Sequence, residues 1–221
     1  MRNLLAHTRV IALSGAFFVA LGAYPATAAA ETWSHDAGTR AVTASITAGS
    51  QATLRVGPSG ELLFGLVPLA CGAATTANTD SVAVSGGAAT AERLTLDMQS
   101  GTFGPGFTSE FNIPEIEMAL SLGGATDRVV VIGTEGNDTL AAGAGGLSLN
   151  SDGDVDVTFA TLPAQMELQA RGGINFLTGR GGFGAGLAYA GSLTLRAGNL
   201  GDELNGATAT TRSSAATATT S

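Results

Sequence analysis

The sequence predicts an all-β protein, and three observations carry that prediction. Short apolar runs with period-2 alternation recur along the chain: Leu94, Leu96 and Met98 point one way, Thr95 and Asp97 the other. Glycine is abundant, with 32 residues, and falls between the runs, where it permits tight turns. Beyond the N-terminal segment, no stretch carries an apolar stripe at helical spacing. A regular alternation of strand and glycine-rich turn fits a sandwich, a barrel or a solenoid.

The first element, residues 1–30, reads as an export signal. Arg2 and Arg9 give a basic start, and residues 10–23 (VIALSGAFFVALGA) form an apolar run. Tyr24 and Pro25 break it, and residues 26–30 (ATAAA) offer A-x-A cleavage choices before Glu31. The run is short for a membrane span. We therefore expect a secreted protein with no membrane span after cleavage.

Residues 31–84 read as an N-terminal β segment, with strands at 41–47, 52–56, 61–67 and 81–85, and a loop at 68–80. Residues 85–206 continue with strands at 93–98, 115–120, 128–132, 146–150, 155–159, 166–169 and 192–196. The tail, 207–221, is Ala, Ser and Thr with one Arg; it lacks an apolar period and is expected to be disordered. Cys71 is the lone cysteine and is read as a small buried hydrophobe. Leu69-Ala70-Cys71 looks like a lipobox but lies far downstream of the leader.

Charge narrows the function. The net charge is -8, and all ten basic residues are Arg. An acidic surface argues against nucleic acid, whose phosphates call for clustered cations, and is compatible with a hard cation such as calcium. The histidines are His7, in the leader, and His35, so H-E-x-x-H is absent, as is any G-x-S-x-G elbow. Without a marked site the chain is expected not to be an enzyme. A polysaccharide-active enzyme using Arg171 or Arg180 is the weaker alternative.

One octet carries chemistry. Residues 133–140 (GTEGNDTL) match the pattern G-G-x-G-x-D-x-U-x, with Thr134 at the second glycine. Degraded copies surround it: LGGATDRV at 122–129, RGGINFL at 171–177 with Asn175 in the Asp place, AGNLGDELNG at 197–206, and GGAATAERL at 86–94 with Glu92 there. On these motifs the region 86–206 resembles secreted bacterial proteins with RTX (hemolysin-type) calcium-binding repeats. The resemblance implies a parallel β-solenoid or β-roll, with calcium held in turns between stacked strands. It places ligand carboxylates on Asp127, Asp138 and Asp202, and turn glycines on Gly133, Gly136, Gly173 and Gly198. Asn175 lacks the charge, while Ala125 and Leu200 replace turn glycines. The best pair is Asp138 with Asp127, expected on adjacent rungs. The implied function is calcium binding in a structural or surface role; the alternative is a calcium-free relic held by apolar packing.

A second acidic run, residues 150–156 (NSDGDVD), invites an EF-hand reading. It fails: Val157 takes the sixth place, where Gly belongs, and Pro163 the twelfth, where Glu belongs. The alternatives are a solvated turn and an ion-stabilised one.

Overall fold

The computed structural model describes residues 31–87, 91–109, 113–124 and 126–207, together with the backbone of 211–214. The expected leader, residues 1–30, most of the 207–221 tail, and residues 88–90 and 125 of the repeat copies lie outside the described residues. The first strands are β1 (Thr32–Asp36), β2 (Ala41–Ser45), β3 (Gln51–Val56), β4 (Glu61–Gly65), β5 (Leu69–Thr75), β6 (Ser81–Ser85) and β7 (Arg93–Asp97). There follow β8 (Glu117–Ser121), β9 (Arg128–Ile132), β10 (Thr139–Ala142), β11 (Leu147–Ser148) and β12 (Val157–Phe159). The last are β13 (Gln165–Gln169), β14 (Phe176–Thr178), β15 (Ser192–Arg196), β16 (Glu203–Asn205) and β17 (Thr211–Ser214).

The strands form two sheets in a sandwich-like arrangement. One has nine strands in the order β1-β2-β6-β8-β12-β11-β10-β14-β16; the other has eight, in the order β17-β15-β13-β9-β7-β3-β4-β5. Within each, the period-2 pattern becomes files of buried apolar side chains. Leu54, Leu96, Val131, Leu168 and Leu195 stand in one register across β3, β7, β9, β13 and β15. Val42, Val82, Met118 and Val157 stand in another across β2, β6, β8 and β12. All of these side chains are buried in one core cluster. Each contributes roughly 1.5–3 kcal/mol of burial, so the register is fixed by the core: a one-residue slip would turn a whole file to solvent.

The all-β class stands, but the parallel β-solenoid expected from the repeats does not. Both sheets are mixed. β1–β2, β3–β4–β5 and β10–β11–β12 pair antiparallel, while β2–β6–β8–β12 and β7–β9–β13–β15 pair parallel. Short turns explain the β3–β4 and β10–β11 pairs. Gly60 N–H bonds to Gly57 O at 3.0 Å between β3 and β4, and Gly143 N–H to Gly146 O at 2.9 Å between β10 and β11. Turns this tight return the chain beside the strand it left. The expected loop at 68–80 contains β5, and the tail expected to be disordered contains β17, paired parallel with β15. Cys71 is fully buried, as expected, and burial pushes its thiol up to about 11.

Candidate metal centre

The repeat acids are in the turns, but their carboxylates serve the chain. Asp138 accepts from Thr134 N–H and from the Thr134 hydroxyl, each at 2.9 Å. Asp127 accepts from Glu92 N–H at 3.1 Å and from Gly124 N–H at 2.6 Å. Asp202 accepts from Asn175 N–H and from its side-chain amide, each at 2.9 Å, and from Gly198 N–H. Asn175 in turn accepts from Asp138 N–H at 2.8 Å. The ladder Asp138–Asn175–Asp202 thus satisfies buried backbone donors from one turn to the next. Asn175 does this as well as an Asp, because its oxygen is what the neighbouring N–H needs.

The glycines have a matching job. A side chain on Gly133 would place Cβ 2.3 Å from Asp138 Oδ2, so the glycine leaves room for that carboxylate. Gly136 donates its N–H to Thr134 Oγ1 at 3.0 Å, within the same turn.

The expected sharing of one ion by Asp127 and Asp138 is also corrected. β9 runs between them. Asp127 stands at the crossing from β8 into β9, and Asp138 at the crossing from β9 into β10, in the other sheet. They bracket a strand instead of stacking on one edge.

A different cluster has the donor set of a cation site. The 149–156 loop joins β11 to β12, which pair antiparallel at Leu147 and Val157, and Asp156 N–H closes it on Leu147 O at 3.0 Å. Inside the loop, Asp152 N–H bonds to Asn150 Oδ1 at 2.7 Å, and Asp156 accepts from Leu149 N–H and from Asn150 Nδ2. These bonds turn the alternate Asp residues together. The fourth carboxylate comes from far along the chain. β8 pairs parallel with β12, Met118 opposite Val157, and this brings Glu115, just before β8, beside the loop. Asn150 Nδ2 donates to Glu115 Oε2 and ties the two segments.

Glu115, Asp152, Asp154 and Asp156 each present an oxygen within 4.8 Å of the others. Glu115 is 9% exposed and Asp156 2%. Glu115 Oε1 and Asp152 Oδ2 are buried without a hydrogen-bond partner. The ion pairs among the described residues lie elsewhere, at Arg40–Asp80, Arg128–Glu167, Arg171–Glu135 and Arg196–Glu167.

No protein-family model, curated protein or solved structure matches this chain. The reading of the cluster therefore rests on its chemistry.

Burial first, and then the neighbouring Asp156, push the Glu115 carboxyl up to about 10. Burial and Asp154 push Asp152 up to about 6, and burial raises Asp156. Four like groups so close can ionise together only if something positive lies among them. Oxygen-only donors suit a hard cation. Opposite oxygens in a calcium shell lie about 4.6–5.2 Å apart, twice the usual bond length, so the cluster's span fits. The site can hold a metal ion.

Its wall is apolar. Glu115 and Asp156 line a cavity of about 70 Å³ together with Met98, Phe103, Ile116 and Leu149. The low dielectric on that side strengthens both the repulsion among the acids and their attraction for a cation.

Sequence reasoning reached the 150–156 run but missed Glu115. No local signal marks that residue, since its place is set by the register of β8 on β12.

Proposed function

We propose that this is an exported calcium-binding β-protein with a structural role, and that Glu115, Asp152, Asp154 and Asp156 hold the ion. The observation that carries the reading is Glu115 Oε1, buried among three other carboxylates and lacking a hydrogen-bond partner. Calcium is the cation of choice. Magnesium demands a near-octahedral shell and gives up water reluctantly, and the all-oxygen donors disfavour zinc. The ion joins the segment before β8 to the loop before β12, so binding stabilises the sheet that contains both. The leader supports export, into surroundings where calcium is plentiful. The RTX resemblance enters through the calcium role alone; at the repeat turns themselves the calcium-free reading is favoured, because Asp127, Asp138 and Asp202 already accept from chain donors. Scanning calorimetry in chelator, calcium and magnesium tests the proposal. Calcium raises the melting temperature most; no rise over chelator refutes it.

A further inference from the structure

The glycine-rich segment that follows β14 lies against the metal loop. Gly181, Gly182, Gly184 and Gly186 have φ of 73°, 92°, 80° and 80°, and Phe183 between them has φ 47°. This is a run of left-handed backbone that glycine adopts without strain. The arch is pinned to the turn between β10 and β11. Gly181 N–H bonds to Ala142 O at 3.0 Å, Ala144 N–H to Leu187 O at 2.7 Å, and Gly145 N–H to Ala185 O at 2.9 Å. Ala185 is fully buried.

From this anchored position Gly184 meets the backbone of Asp154. A Cβ at Gly184 would lie 2.2 Å from the Asp154 carbonyl carbon and oxygen and 2.5 Å from its Cα. Asp154 is the exposed member of the acidic cluster. Its own N–H bond, to Asp152 Oδ1 at 3.4 Å, is long. A ligand held weakly within its loop depends on what packs behind it.

We propose that Gly184, held in place by the arch, is a positioning brace for the metal loop and sets where Asp154 presents its carboxylate. The inference rests on the metal reading above. Gly182 supplies the control: it shares the left-handed φ, yet a Cβ there has nothing within 4 Å. Alanine at either position introduces the same backbone strain, and only at Gly184 does it strike the metal loop.

The test is calcium titration by calorimetry of the purified wild type, Gly184→Ala and Gly182→Ala, beside their melting temperatures in chelator. Both variants melt lower than wild type in chelator. Gly184→Ala loses about 10–100-fold in calcium affinity, the usual effect of disturbing a ligand's support, and Gly182→Ala keeps the wild-type affinity. Equal affinities for the two variants overturn the brace while leaving the metal site intact. If Gly184→Ala does not fold, hydrogen exchange of the wild type decides. Coupling is reciprocal, so calcium slows exchange of the Gly145 and Ala185 amides while leaving the Gly60 amide, in the β3–β4 turn, unchanged. No slowing at saturating calcium overturns the brace. A wild type that binds no calcium overturns the metal reading and the brace together.

Discussion

Replacing Glu115 by Gln separates the two states of the metal site. In calcium-free solution at pH 7 the Glu115 carboxyl, raised to about 10, already holds a proton. Gln is close to that neutral form in shape and charge, so the calcium-free stability shifts by less than about 1 kcal/mol. With calcium the variant lacks one of the four carboxylates that share the ion. Losing about 10–100-fold in affinity corresponds to about 1.4–2.7 kcal/mol. At calcium about 100-fold above its dissociation constant the wild type gains about 2.7 kcal/mol. For a chain of this size that is a rise of roughly 5–11 °C in melting temperature. At the same calcium the variant retains about 0.4–1.4 kcal/mol, or roughly 1–6 °C. The assay is differential scanning calorimetry of both proteins in chelator and in calcium. If wild type and Glu115→Gln rise equally, Glu115 is not a ligand and the reasoning fails.

Asp138→Ala removes the acceptor for the Thr134 N–H and hydroxyl; it costs about 1–3 kcal/mol, equally in calcium and in chelator by denaturant titration. pH acts through the cluster. A Glu115 carboxyl raised from 4.5 to about 10 keeps in the native state a proton that the unfolded chain releases, so its stabilisation is complete below about pH 4.5 and is lost as pH climbs toward 10. The calcium-free protein therefore melts lower at pH 8 than at pH 5, by up to about 1.4 kcal/mol of stability per pH unit from this group, and calcium, by displacing the proton, flattens the slope. Glu167 behaves oppositely. Burial pushes its carboxyl up, but hydrogen bonds from Arg196, Gln169 and Arg128 outweigh that and hold it below the ordinary range. Its contribution is present above about pH 4.5 and lost as pH falls through the lowered value, so Glu167→Gln melts with a shallower acid limb than wild type. Mass spectrometry of material exported by a bacterial host finds cleavage after Ala28 or Ala30; an intact Met1 on most molecules contradicts the leader.

Strands were legible in the sequence where the two faces differ in polarity. Ser81–Ser85 and Ser192–Arg196 fall on the expected spans because buried apolar residues alternate between polar ends, and Arg128–Ile132 falls on its span as a short unbroken apolar run. β5 was not legible: it buries only Cys71 and Ala74, three residues apart, and exposes Leu69 and Ala70, so it has no period-2 alternation. Strand direction was not legible either. Period-2 alternation is the same in parallel and antiparallel ladders, and the repeat motif suggested a uniform stack where tight turns build hairpins. The GTEGNDTL octet lies in a turn, as read, but whether its Asp binds calcium was not legible, because a carboxylate that caps backbone N–H groups and one that binds calcium call for the same local residues. The 150–156 run was legible as a cluster of acids. Its partner Glu115, 35 residues before Asn150, was not, because only the β8–β12 register brings the two together.

The most direct test is diffraction from crystals grown with calcium, with the ion located by its anomalous signal. The account predicts one ion ligated by Glu115, Asp152, Asp154 and Asp156 at about 2.3–2.6 Å, and none in the turns of Asp127, Asp138 or Asp202. An ion in those turns, or an acidic cluster without one at saturating calcium, contradicts it.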